Sequence, residues 1–279
     1  MKKFQLGCQL NYTISQPTTL LFNLEVVNNN YQNILHEKLQ LNPSLAIDKY
    51  ISDSEKNRFI RVNAPTGKIE ISYQATVELF HYYANNNNIA EVPLAELPIE
   101  TLPYLYPSRY CQSDLLFGLA ESEFGNLNPG YSRVMMISDW IYNKVKYLFG
   151  STNSQTSAFD TATQRVGVCR DFAHLGIAFC RALNIPARFV SAYAYNLNPP
   201  DFHACFEAYL GDRWYLFDPT KLVPLTGIIR ISTGRDATDV SFATLFGTFE
   251  MNDQHLFVED ISDVQENQKI ENFEAISIS

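Results

Sequence analysis

Apolar and polar positions alternate through GKIEISYQATVELF, so Ile69, Ile71, Tyr73, Ala75, Val77 and Leu79 fall on one face of a strand. LGCQLNYTI, TTLLFNLEVV and NRFIRVNA are also short, rich in β-branched and aromatic residues, and separated by Asn, Pro, Ser and Gly. Together they predict a strand-rich segment over residues 1 to about 82, which an all-β sandwich of modest size accommodates.

From Tyr83 to about Tyr106 the chain carries the Asn85 to Asn88 run and Pro93, Pro98 and Pro103. It reads as a connection, which puts an N-terminal β-rich domain at residues 1–95. Beyond it the period changes: Ile137, Trp140, Ile141, Val145 and Leu148 recur at three and four, as on one face of a helix. A second helix is predicted between Gly167 and Pro186, where Phe172, Leu175, Phe179, Ala182 and Leu183 form a stripe and Pro186 ends the run. ARFVSAYAY, HACFEAYL and RWYLFDPT then read as three strands, with Gly211-Asp212 as a hairpin turn. The expected fold class is α+β, with a mixed second domain over 96–265 and a polar C-terminal tail at 266–279.

An apolar content of 46% with 18% charged residues describes a chain that folds around a core. The net charge of −9 comes without clustered Lys and Arg, which argues against nucleic acid as a partner. No stretch has the run of about 20 apolar residues that a membrane span needs. No leader pattern is evident at the start, so a cytoplasmic location is expected. The five cysteines are odd in number and widely spaced, which favours reduced thiols.

Among those thiols Cys169 opens a predicted helix, where unpaired N–H groups and the helix dipole favour a thiolate. Strand register supplies partners for it. If Gly211-Asp212 is a two-residue turn, Leu210 pairs with Arg213, and counting back sets Cys205 opposite Asp218. His203, two residues from Cys205, becomes the diagonal neighbour of Asp218 at roughly 7 to 8 Å between backbones. A carboxylate there would hold the imidazole in one tautomer and leave its other nitrogen for the thiol. For this to work, the helix must bring Cys169 against that face.

GVCRDFAHLGIAFCRALNIPARFVSAY followed by DFHACFEAYLGDRWYLFDPT resembles the core of bacterial transglutaminase-like proteins. Gly167 to Asp171, the Pro186-Ala187-Arg188 strand entry, the histidine and Asp218-Pro219 all occur in family order. LPYLYPSRYCQSDLL and GRDATDVSF resemble flanking segments of the same branch, and the strand-rich first third is similar to its N-terminal domain. The resemblance implies a papain-like α/β core with the triad on Cys169, His203 and Asp218. It also implies acyl transfer or amide hydrolysis on a peptide or protein substrate. In the loop that resembles a family segment, Arg235, Asp236 and Asp239 are the expected substrate-binding residues. The Cys169 backbone N–H is one expected oxyanion donor; the tryptophan of transglutaminases proper has no aligned position here.

Amide or peptide hydrolysis through a thioester is the leading reading, because nothing identifies an acceptor-amine site. The alternatives are a protein-glutamine acyltransferase and a non-catalytic peptide-binding module. No cofactor or metal is expected, the acids matching no EF-hand spacing. Cys180 and Cys205 read as core filler and His174 as a structural histidine, five positions along the helix from Cys169.

Overall fold

The computed structural model describes residues 1–262 and 274–279. Its first third is all strand: β1 (Lys2–Ile14), β2 (Thr18–Phe22), β3 (Gln32–Asn42), β4 (Ile47–Ile51), β5 (Arg58–Ala64), β6 (Gly67–Leu79) and β7 (Tyr82–Asn85). The middle contains α1 (Ser113–Phe124), α2 (Tyr131–Lys144), β8 (Lys146–Tyr147), α3 (Ala158–Gln164), β9 (Val166–Gly167) and α4 (Cys169–Ala182). Four strands follow, β10 (Ala187–Ala194), β11 (His203–Leu210), β12 (Arg213–Phe217) and β13 (Ile228–Gly234), then α5 (Ala237–Val240), β14 (Ala243–Phe246), β15 (Phe249–Asp260) and β16 (Glu274–Ser277). No helix among the described residues is long and apolar enough to cross a membrane.

Two antiparallel sheets, β15-β1-β6-β3 and β14-β2-β5-β4, enclose a core of Leu6, Tyr12, Phe22, Ile60, Ile71 and Tyr73. The alternation in β6 is realised: Ile69, Ile71, Tyr73, Ala75, Val77 and Leu79 are all buried. Late strands complete this sandwich, since β14 pairs with β2 and β15 with β1. Residues 243–260, expected in the second domain, therefore belong to the first sheet pair by hydrogen bonding. Local periodicity cannot show a partner more than 200 residues away, and β15 carries a mostly exposed, polar sequence.

The C-terminal residues also differ from a free tail. Residues 266–273 lie outside the described residues, but β16 pairs with β7, and Ala275, Ile276 and Ile278 are buried. Their alternation with Ser277 and Ser279 is a strand pattern too short to stand out in sequence. The same pairing makes a strand of Tyr82–Asn85, at the start of the stretch expected to be only a connection.

A third antiparallel sheet, β12-β11-β10-β13, receives α4. Asp171 to Ala182 is buried almost without interruption, because α1, α2 and α3 pack around the sides of α4 that the sheet leaves open. Gly176 lets this helix approach β11: a Cβ there would lie 2.5 Å from the Phe206 ring. The helix ends where Asn184 takes φ 61 and the Ile185 N–H returns to the Cys180 carbonyl at 2.9 Å, ahead of Pro186.

Candidate functional site

Cys169 is the first residue of α4. It is placed by a short parallel pairing of β8 with β9, in which the Leu148 N–H donates to the Gly167 carbonyl at 3.0 Å. Asp171 Oδ2 folds back to accept from the Val168 N–H at 2.9 Å, satisfying one of the donors a helix start leaves unpaired. Gly167 is what allows that return, since a Cβ at this position would sit 2.9 Å from the Asp171 Cβ.

The hairpin has the anticipated register, Leu210 opposite Arg213 and Phe206 opposite Phe217. It leads Asp218 to His203, and Nε2 and Oδ2 are 2.8 Å apart. The other carboxylate oxygen, Oδ1, accepts from the Thr220 N–H at 2.9 Å and the Thr220 hydroxyl at 2.7 Å. With Nε2 committed, Nδ1 is buried without another partner and is the nitrogen left for the Cys169 sulfur. Burial alone would lower the His203 pKa. The Asp218 charge, the hydrogen bond to it and the contact with Cys169 outweigh burial and raise it to about 10.

One geometric expectation fails. The body of α4 packs on the β11 face that carries Ala204, Phe206 and Ala208, whereas Cys205 faces the cluster of Val190, Leu216 and Ile228. Cys169 therefore meets His203 at the first residue of β11 and not across the Cys205 face. Side chains on a strand alternate, so a helix on one face reaches the other set only where the strand begins.

Tyr147, which the sequence did not single out, also touches Cys169. Its hydroxyl lies close enough to Cys169 for both the sulfur and the backbone amide to act on its ionisation. Burial first, then the Cys169 sulfur, raises its pKa, so the hydroxyl keeps its proton at neutral pH. A single tyrosine between two helices has no periodic signature; only the β8–β9 pairing brings it here.

A cleft of about 510 Å³ opens over these groups, walled by Phe189, Phe202, Ala204, Val240 and Phe242, with Cys169 and His203 at its floor. The other thiols, Cys8, Cys111, Cys180 and Cys205, are buried. Burial pushes Cys8 up to about 11 and Cys111 up to about 12, well away from thiolate at neutral pH.

Arg235, Asp236 and Asp239 are not among the residues lining the cleft. Arg235 pairs with Asp239 at 3.0 Å on the surface. Asp236 is buried and caps α5, accepting from the Thr238 N–H at 2.8 Å, while its other oxygen accepts from the Tyr110 N–H at 2.8 Å. An acid that ties two loops together looks in sequence like one facing solvent or ligand. His174 stacks on Tyr110 and accepts from the Ala237 N–H at 3.1 Å; burial drives its pKa down to about 3, so it is neutral and structural. Among the described residues no group of three or more His, Cys, Asp or Glu is gathered as metal ligands would be.

Residues 118–219 match the model of the transglutaminase-like superfamily, and residues 1–100 match that of the bacterial transglutaminase N-terminal domain. A putative cysteine protease from Cytophaga hutchinsonii has the same fold, with a TM-score of 0.94 and 46% identity over 99% of this chain and 97% of that one. The chain belongs to the transglutaminase-like superfamily. An uncharacterized protein of Mycobacterium leprae is 25% identical over 82% of this chain and 88% of its own length. Another from Mycobacterium tuberculosis is 34% identical over 36% of this chain and 37% of its own. The α+β fold with an all-β N-terminal region and a transglutaminase-like core agrees with the sequence reading, and membership supports the general class of cysteine enzyme.

Proposed function

We propose that the chain is a cysteine-dependent amide or peptide hydrolase acting through a thioester, with Cys169 as nucleophile, His203 as acid and base, and Asp218 orienting His203. One observation carries this reading: His203 Nε2 is held by Asp218 at 2.8 Å while Nδ1 is left for a thiol at a helix N-terminus, inside an apolar cleft.

The steps follow from those atoms. The Cys169 thiolate attacks the amide carbon and forms a C–S bond, and the carbonyl oxygen takes the negative charge. In this reading the Cys169 backbone N–H and the Tyr147 hydroxyl, which lies beside it, both turn to that oxygen. His203 gives its Nδ1 proton to the leaving amine as the C–N bond breaks. Water then attacks the thioester, Nδ1 takes a proton from it, and breaking the C–S bond releases an acid and restores the thiolate. The Asp218 carboxylate stabilises the imidazolium that is present before the first transfer and after the second.

A thiol reagent near neutral pH tests the nucleophile. Fast modification of Cys169 that is lost in His203→Ala supports it; slow modification in both proteins speaks for a peptide-binding module. Incubating glutamine-containing peptides with a primary amine and weighing the products then separates outcomes: acid supports the hydrolase, and adduct alone makes the chain an acyltransferase.

A further inference from the structure

The cleft also holds an acid with no ion pair among the described residues. Asp201 lines it beside His203. Its Oδ1 accepts from the Phe202 N–H at 2.7 Å and from Gln254 Nε2 at 2.5 Å, which fixes the carboxylate in place. Oδ2 has no hydrogen-bond or ion-pair partner among the described residues, and it is not sealed from solvent. Burial raises the Asp201 pKa, and the Phe202 amide, Gln254 and the His203 charge offset this only in part. The Arg170 guanidinium, which also lines the cleft, is already held by Asp171 at 3.0 Å and the Asn153 carbonyl at 2.7 Å. Phe189, Phe202, Val240 and Phe242 supply few polar groups to compensate a negative charge.

A fixed carboxylate with one open oxygen in an apolar wall favours a positive group beside it and penalises a neutral or negative one. We propose that Asp201 is a specificity residue, receiving a cationic side chain, ammonium or guanidinium, that flanks the amide attacked by Cys169. This cation is a recognition group and not the reacting amine. The inference rests on Cys169 being the nucleophile, and the experiment reads the two ideas separately.

Three methanethiosulfonates serve as probes: propyl (neutral, the isostere of the cation), 2-aminoethyl (cationic) and 2-sulfonatoethyl (anionic). The neutral rate reports the reactivity of Cys169, and the cation-to-neutral ratio reports Asp201. In Asp201→Asn, which keeps the Oδ1 acceptor, the cation-to-neutral ratio should fall about fivefold to tenfold and the anion-to-neutral ratio should rise, whatever the change in the neutral rate itself. Asp201→Glu, keeping the charge, should retain most of the preference, and near-UV circular dichroism checks that both variants are folded. Asp114→Asn makes the same change in net charge on the exposed start of α1 and should leave the ratio alone. Peptides bearing Lys or Arg should also protect Cys169 from the neutral reagent better than matched norleucine or citrulline peptides. An unchanged ratio in Asp201→Asn, an equal fall in Asp114→Asn, or equal protection by charged and neutral peptides overturns the proposal. Slow neutral labelling of the unmodified protein instead removes the nucleophile, and the proposal with it.

Discussion

Asp218 holds His203 with one oxygen and is itself held through the other: Oδ2 lies 2.8 Å from Nε2, while Oδ1 takes both the N–H and the hydroxyl of Thr220. The imidazole is thereby fixed in orientation, and its charge has a buried counter-ion. These two effects can be separated by experiment.

Asp218→Asn keeps the shape and removes the charge that does most to raise the His203 pKa to about 10. Amide turnover should fall on the order of ten-thousandfold, as when other triads lose this carboxylate. The imidazolium should also deprotonate at much lower pH, so the alkaline limb of Cys169 alkylation moves down. Stability carries the same sign. A histidine whose folded pKa is raised contributes stability that is fully present below its unfolded value near 6.5 and is lost as pH rises toward about 10. Thermal melts should therefore show the largest deficit of Asp218→Asn at acid pH, narrowing across that window. A deficit that widens with rising pH contradicts the assignment.

In the proposed mechanism the Tyr147 hydroxyl and the Cys169 backbone N–H together hold the carbonyl oxygen. Tyr147→Phe keeps the ring contacts with Phe149 and Phe172 and deletes the donor. Turnover number should drop about a hundredfold with little change in KM, the pattern for a group that acts mainly in the transition state. A rise in KM alone would give Tyr147 a role in ground-state binding instead.

Most of the fold could be read along the chain, because β6, α4 and the β11–β12 hairpin each carry their own periodicity. What escaped depended on long-range pairing. Strand β15 is polar and finds β1 more than 200 residues away, and Glu274–Ser277 is recognisable only beside Tyr82–Asn85. The approach of Asp218 to His203 was legible because hairpin register is arithmetic, whereas the place where Cys169 meets that histidine was not. Tyr147 and the true situation of Asp236 were not, since a side chain's environment in a loop depends on what packs over it.

For Asp236 the structural role makes a prediction opposite to a substrate-binding one. Asp236→Ala strands the N–H groups of Tyr110 and Thr238, each an unmet donor worth about 1 to 3 kcal/mol if it stays buried. Arg235→Ala breaks only a surface pair, and Asp239→Ala that pair and the exposed bond from the Arg235 N–H at 2.9 Å; each should cost less than about 1 kcal/mol. Urea unfolding should rank the variants in that order. If substrate KM responds to Arg235 or Asp239 while stability ignores Asp236, the loop belongs to the substrate site after all.

Behind the cleft, Glu207 lies fully buried between two arginines. Arg188 Nε donates to it at 2.7 Å, Arg230 bonds its other oxygen, and the Ser279 hydroxyl adds a contact at 2.8 Å. Burial would raise the Glu207 pKa, but Arg230 and Arg188 more than reverse this and hold it below the usual carboxylate range. A depressed acid contributes stability at neutral pH that is lost as pH falls through its folded pKa. Glu207→Ala takes the counter-charge from buried Arg230 and leaves Arg188 with Glu55 alone, so it should destabilise by about 3 to 5 kcal/mol, whereas Glu207→Gln retains an acceptor and should cost less. Because Ser279 joins the network, hydrogen exchange in Ala275–Ser279 should accelerate in Glu207→Ala along with that of β11. Unchanged protection there would mean that pairing with β7 alone secures this strand, and that the buried charges hold only the sheet.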